Sequence, residues 1–168
     1  SITQWANVLL DACAALGVRS NLSVEPGRAI VAAAAITVYT VGTVKDIPGV
    51  RRYVAVDGGM SDNPRPVLYG SGYEAFLPRA VTAPRDLPVR LVGKHCENGD
   101  VLIFDAMIPA STTVGELLAT PVTGAYGRSM ASNYNMLARP PVVFVKDGSS
   151  RLVVRRETFD DLLTCDLG

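Results

Sequence analysis

The spacing of apolar residues changes character once along the chain, near Ile36. Before that point, Ser1 and Gln4 have the spacing of a capping box, and Trp5, Val8, Leu9, Ala12 and Leu16 recur at helical intervals until Gly17 stops the run. The pattern predicts an amphipathic helix. Residues 22–25 are too few for a helix and read as the end of a buried strand. Pro26 then suits the first turn of a second helix carried by the alanine-rich run 29–35. Helix, strand and helix succeed one another as in an α/β layer, yet two helices and one strand cannot close an α/β fold. Their partners are expected upstream in a longer parent chain. The start of the sequence, without initiator Met, basic leader or cleavage site, carries the same expectation.

From Ile36 onward β-branched residues dominate, punctuated by Gly, Pro and Asn turns. Strands are expected over 36–45, 53–57, 73–78, 89–96, 101–107, 117–124, 142–146 and 152–156, with hairpin-type turns at Asn98-Gly99 and Asp147-Gly148. Short helices are expected near 64–68, 130–134 and 158–163. The fold class is therefore mainly β: an antiparallel barrel or sandwich over 36–168, preceded by a short α/β piece over 1–35.

Composition narrows the classes of function. A chain of 168 residues suits one domain or slightly more. Its 48% hydrophobic content and mean hydropathy of +0.23 lie at the apolar end for a soluble protein, so a buried surface beyond one domain's own core is expected. No apolar run approaches the roughly 20 residues of a membrane span. Sixteen basic and sixteen acidic residues balance, and the basic ones are scattered, which leaves no footprint for nucleic acid. Cys13, Cys96 and Cys165 are odd in number and far apart, beside a single histidine. They point to a reducing, cytoplasmic setting with neither disulfides nor a metal site.

Four stretches could carry chemistry. Glu25-Pro26-Gly27-Arg28 joins a carboxylate and a guanidinium to the start of the second helix, whose free N–H groups would attract an anion. It reads equally as a plain strand-to-helix corner with Arg28 in an ion pair. Arg65, set between Pro64 and Pro66 with Tyr69 four residues on, is either a stiff carboxylate clamp or a surface arginine stapling a turn. The loop before it fails as a calcium site, because Leu68 stands where the closing Glu should be. In His95-Cys96-Glu97-Asn98-Gly99-Asp100, neighbours on a strand point to opposite faces, so His95 and Cys96 should not pair as base and nucleophile. As a hairpin alone, the stretch would bury Cys96 and leave Glu97 and Asp100 in water. Tyr126, in Gly124-Ala125-Tyr126, could present a flat ligand with its ring or fill the barrel. Lys45, Lys94 and Lys146 are the only lysines, and each reads as an exposed strand-end or turn cation.

Taken in order, Glu25-Pro26-Gly27-Arg28, Asp57-Gly58-Gly59, Asn63-Pro64-Arg65-Pro66 with Tyr69, His95 to Asp100, and Gly124-Ala125-Tyr126 resemble the C-terminal portion of the diaminopimelate decarboxylase family, in the alanine-racemase-like class of pyridoxal-phosphate enzymes. Asn133-Tyr134-Asn135 and Arg155-Arg156-Glu157-Thr158 extend the likeness almost to the end. The resemblance implies that 1–35 complete a (β/α)8 barrel and that 36–168 form the β domain closing its mouth. It implies that Glu25 meets the pyridine nitrogen of pyridoxal 5'-phosphate, that Gly27 lies by the phosphate, Arg28 by phosphate or substrate carboxylate, and Tyr126 near both cofactor and substrate. Arg65 and Tyr69 would grip the distal end of the substrate. Cys96, the catalytic thiol, and Glu97, toward the substrate's amino group, would reach the site of the neighbouring subunit in a homodimer. The implied reaction is decarboxylation of meso-2,6-diaminopimelate to L-lysine in lysine biosynthesis. The barrel lysine that holds the cofactor is absent from these residues, so the isolated chain is expected to be inactive. Glu97 rather than Asp favours this branch over the ornithine and arginine decarboxylases, while Asn98 departs from the commoner Ser. Two alternatives stand beside it: a fragment of an ornithine- or arginine-type enzyme, and a non-catalytic β-barrel binding module.

Overall fold

The computed structural model describes residues 1–168. Helix α1 (Ile2–Ala15) forms as its capping box predicts: the Ser1 hydroxyl accepts from Gln4 N–H at 3.3 Å, and the Ser1 amino group donates to the Gln4 side chain at 2.6 Å. Its apolar stripe has nothing to cover it. No α1 residue is buried, and Trp5, Val8 and Leu16 of the stripe face solvent.

The next stretch departs from the expectation. Residues 22–25 form no strand, because a strand needs a hydrogen-bonded neighbour and the chain offers none beside them. The second helix is replaced by two 3₁₀ turns, Gly27–Ala29 and Ala32–Ala34. Gly27 is left-handed at φ +55°, and Val31 leaves helical geometry at φ −135°, ψ −2°. The run docks instead on the chain after the sheet: Gly124 N–H donates to Ala32 C=O at 3.0 Å and Thr123 N–H to Ala35 C=O at 3.2 Å. Carbonyls committed to another segment cannot extend a helix, so the helix N-terminus expected as an anion site does not form.

Beyond Ala35 the β expectation holds. Strands β1 (Ile36–Ile47), β2 (Arg51–Val56), β3 (Leu87–Val92), β4 (Val101–Ile108) and β5 (Leu117–Pro121) make a curled sheet in the order β4-β3-β2-β1-β5. Alternate residues face inward. Tyr39 and Val41, Val54 and Val56, Val89 and Leu91, and Ala106 and Ile108 line one core with Leu77, Leu102 and Leu118. One pairing differs from an all-antiparallel sheet: β2 and β3 run parallel. The long connection between them, which carries α2 (Arg65–Tyr69), returns the chain to start β3 in the same direction. Residues 73–78 make only a two-bond bridge, Phe76 with Ala119, because Pro78 has no N–H and opens a 3₁₀ turn.

The hairpin β6 (Val142–Lys146) and β7 (Ser149–Val154) is a separate two-stranded sheet. Asp147 and Gly148 at φ +50° and +74° give its turn the twist that flanking strands require. Before it lies α3 (Gly127–Met130), ahead of 130–134, and after it the capped helix α4 (Phe159–Leu162).

Candidate active site

The loop that leaves β2 at Asp57 is the hub on which the site is assembled. Gly58 and Gly59 are buried there because side chains approach from both sides. A Cβ on Gly59 would stand 2.5 Å from His95 Nδ1 and 2.6 Å from both Asp100 carboxylate oxygens. Asp100 is buried and gathers three donors: Met60 N–H at 2.7 Å, His95 N–H at 2.8 Å and His95 Nδ1 at 2.6 Å. Beneath it, burial pushes the Tyr39 hydroxyl far above its ordinary value. Asp62 is also raised by burial, against the opposing pull of the Gly59 N–H.

Above this anchor, β3 ends at Val92 and the chain makes its turn through Cys96 and Glu97. His95 points inward, with its side chain fully buried, while Cys96 and Glu97 are exposed. His95 and Cys96 therefore diverge as expected, but not as strand neighbours: the strand expected over 89–96 ends at Val92, and the two residues lie in the bend beyond it. The plain-hairpin expectation fails, because Cys96 faces solvent and Asp100 does not: three inward N–H groups make burial of the carboxylate favourable. Asn135 and Tyr134 close over the turn. Cys96 N–H donates to Asn135 Oδ1 at 3.1 Å, and the Tyr134 hydroxyl donates to Glu97 Oε2 at 3.1 Å. The Gly99 N–H on Oε1, and then the Tyr134 hydroxyl, hold the Glu97 carboxyl below the usual carboxylate range.

A second group forms where residues 27–35 meet 122–126. The Tyr126 hydroxyl lies 3.2 Å from where a Gly27 Cβ would be, and Arg28 Nη2 donates to Val122 C=O at 3.2 Å. Arg28 makes no ion pair, and its Nη1 is buried without an acceptor. Val122 and Tyr126 both have positive φ, +63° and +66°, a conformation that is strained for a β-branched residue. Tyr126 is half-exposed, so it does not plug the sheet. Glu25, three residues before Arg28, is exposed, with no hydrogen-bond partner.

A third group stands on α2. The Arg65 guanidinium lies over the Tyr69 ring at 4.9 Å, its Nε buried without an acceptor. Neither an ion pair nor a hydrogen bond joins the Arg28, Arg65 and Glu97 groups to one another. The structure thus joins Gly27, Arg28 and Tyr126, joins Arg65 and Tyr69, and sets Cys96 and Glu97 on a loop of their own. Lys45, Lys94 and Lys146 are exposed, as expected.

Residues with no expected site role hold these groups in place: Asp100, Tyr134, Asn135, Gly93 and Glu157. Glu157 receives Asn133 Nδ2 at 2.6 Å and Arg139 N–H at 2.8 Å, tying the Tyr134 segment to the end of β7. The Gly58-Gly59 doublet was the one local signal for such close approach.

Comparison with known proteins places the chain. Residues 28–124 match the family described as the C-terminal sheet domain of pyridoxal-dependent decarboxylases. The chain is 59% identical over 144 residues to diaminopimelate decarboxylase of Actinosynnema pretiosum subsp. auranticum, covering 85% of this chain and 32% of that protein. Against the Bacillus subtilis enzyme of the same name it is 53% identical, covering 86% of this chain and 33% of the relative. It superposes on crystalline diaminopimelate decarboxylase from M. jannaschii in co-complex with L-lysine with a TM-score of 0.80 at 35% identity, over 88% of this chain and 33% of that one. The chain thus spans about a third of the length of these relatives. The curled mixed sheet, the separate hairpin and a family match over more than half of the residues agree, and this chain belongs to the family of pyridoxal-dependent decarboxylase C-terminal sheet domains.

Proposed function

We propose that this chain is the C-terminal part of a pyridoxal-phosphate-dependent enzyme that decarboxylates meso-2,6-diaminopimelate to L-lysine and CO2. The observation that carries the reading is a pair of guanidinia, Arg28 and Arg65, each with a buried nitrogen that has no acceptor. An unmet buried N–H costs about 1–3 kcal/mol, more on a charged group, so both await an anion. A phosphate and a distal substrate carboxylate supply one each. In this reading residues 1–35 complete a (β/α)8 barrel and 36–168 close its mouth. The bare stripe of α1 and the unpaired residues 22–25 support that division.

The residues of this chain fit the cofactor. Gly27 leaves room beside the Tyr126 hydroxyl that a Cβ would crowd, and Arg28, the next residue, keeps a guanidinium nitrogen without an acceptor. Gly27 and Arg28 hold the phosphate, Tyr126 lies against the ring and the substrate, and Glu25 meets the pyridine nitrogen and keeps a proton there. When bound, pyridoxal phosphate supplies the electron-withdrawing ring that accepts charge as CO2 leaves. Arg65 and Tyr69 fix the far end of the substrate. Glu97 receives its amino group, and Cys96 holds its thiol by the reacting carbon. Cys96 and Glu97 serve the neighbouring subunit of a homodimer, a role supported by their exposure and by their separation from the Arg28 group. A reducing, cytoplasmic setting belongs to the same reading; no helix is long and apolar enough to cross a membrane.

The test is turnover by the full-length parent: CO2 and L-lysine from meso-diaminopimelate are expected. Turnover of ornithine or arginine with none of diaminopimelate would overturn the substrate. The chain alone is expected to be inactive, because its three lysines are exposed and the cofactor lysine is assigned to the barrel. An absorbance band with pyridoxal phosphate that survives dialysis of the isolated chain would contradict that assignment.

A further inference from the structure

Glu97 sits on an exposed turn, where a free glutamate would sample several rotamers. Here each of its carboxylate oxygens has one donor. Gly99 N–H bonds Oε1 at 3.1 Å from the turn beneath, and the Tyr134 hydroxyl bonds Oε2 at 3.1 Å from a different segment. A carboxylate has about four lone-pair sites, so two are spent on fixing its plane and two stay open to a ligand. The turn itself is fixed independently. Asp100 ties His95 N–H to Met60 N–H from below, and Asn135 Oδ1 accepts Cys96 N–H from above. Backbone position and carboxylate direction thus have separate causes.

Tyr134 is held firmly enough for this task. Its ring lies 5.8 Å from the buried His95 ring at an interplanar angle of 55°, and the preceding Asn133 is tied to Leu137 C=O at 3.0 Å and to Glu157 at 2.6 Å. Asn135 and Met136 adopt φ of +56° and +57°, an uncommon turn that brings both Tyr134 and Asn135 over the Cys96-Glu97 turn. Nothing else in the structure bonds the Tyr134 hydroxyl.

We propose that Tyr134 is a positioning residue for substrate recognition, aiming the Glu97 carboxylate at the amino group of a diamino acid. The inference rests on the reading of Glu97 as the group that receives that amine, and the test separates the two. In the full-length holoenzyme, Tyr134→Phe keeps the ring against His95 and removes only the hydroxyl. The variant is expected to raise KM for meso-diaminopimelate about tenfold while kcat changes little, the pattern of lost binding common to ground and transition states. Calorimetric affinity for L-lysine should weaken by the same factor, with cofactor content and melting temperature unchanged. Glu97→Gln should weaken both quantities at least as much, and the double variant Glu97→Gln/Tyr134→Phe should be no worse than Glu97→Gln alone, since Tyr134 acts through Glu97. If Tyr134→Phe leaves KM and lysine affinity unchanged while Glu97→Gln weakens both, the positioning role is overturned and the reading of Glu97 survives. If the two losses add in the double variant, Tyr134 acts on the substrate by another route and the inference fails. If Glu97→Gln changes neither quantity, the reading of Glu97 falls and this inference with it.

Discussion

Replacing Asp100 with alanine removes the one acceptor shared by Met60 N–H, His95 N–H and His95 Nδ1, at 2.7, 2.8 and 2.6 Å. All three donors lie under the Cys96 turn, where Asp100 is only 3% exposed, so water replaces the carboxylate poorly. Each unmet donor costs about 1–3 kcal/mol; with some repair by solvent entering the vacated space, Asp100→Ala should destabilise the chain by about 4 kcal/mol. Asp100→Asn keeps one oxygen but turns an NH2 toward donors on the other side, and should cost about 2 kcal/mol. Urea unfolding followed by far-UV circular dichroism reads both. With a slope of about 2 kcal/mol/M, the midpoints should fall by about 2 M and 1 M. Gly59→Ala provides an internal check, because its Cβ would meet the same carboxylate at 2.6 Å. Removing that carboxylate relieves two of the three close contacts and unties the third, His95 Nδ1, from its anchor, so the Gly59→Ala/Asp100→Ala pair should lose at least about 1 kcal/mol less than the sum of the single losses. A cost below about 1 kcal/mol for Asp100→Ala, or strict additivity in the pair, would refute the buried anchor.

Three further outcomes follow from the same geometry. Gly124→Ala drives a Cβ into the Val31 carbonyl, so it should destabilise by about 2 kcal/mol and speed deuterium exchange at the Thr123 and Gly124 amides, with those of β3 unaffected. The Arg139 N–H, then the Asn133 and Arg139 side chains, hold Glu157 below the usual carboxylate range despite some desolvation. A lowered carboxylate stabilises the fold above its unfolded value and loses that contribution as pH falls through the folded one. Glu157→Gln should therefore lower urea stability at neutral pH, with the gap to wild type closing below about pH 4; a gap that persists at pH 2–3 would assign the loss to packing. In the full-length parent, Cys96→Ala should reduce turnover far more than cofactor affinity, measured by kcat and by cofactor titration, and equal loss of both would make Cys96 structural.

What could be read from the residues was local. The Ser1–Gln4 cap and the Asp147-Gly148 turn depend on side chains and φ preferences within four positions, and they form as their spacing predicts. The strands β1, β2 and β3 were likewise visible, because β-branched residues suit a pleated strand and the turn residues between them mark its ends. The stretches that misled were those whose backbone partners lie far away. Residues 22–25 have strand-like composition and no neighbour, and the alanine run gives its carbonyls to Thr123 and Gly124 rather than to itself.

For the site, the sequence by itself determined which chemical groups are present: two arginines, one of them with a tyrosine four residues on, a thiol next to a carboxylate, and the glycines that leave room for them. Only the tertiary structure decided which of these groups are free. Arg28 and Arg65 keep buried nitrogens without acceptors, and Asp100 is consumed as an anchor although Glu97, three residues earlier, stays open. The reason is physical: a polar group's availability is what remains after its burial and its hydrogen bonds are met. For Asp100 that account is settled by Met60 and for Glu97 by Tyr134, both distant in the chain and adjacent only in the fold.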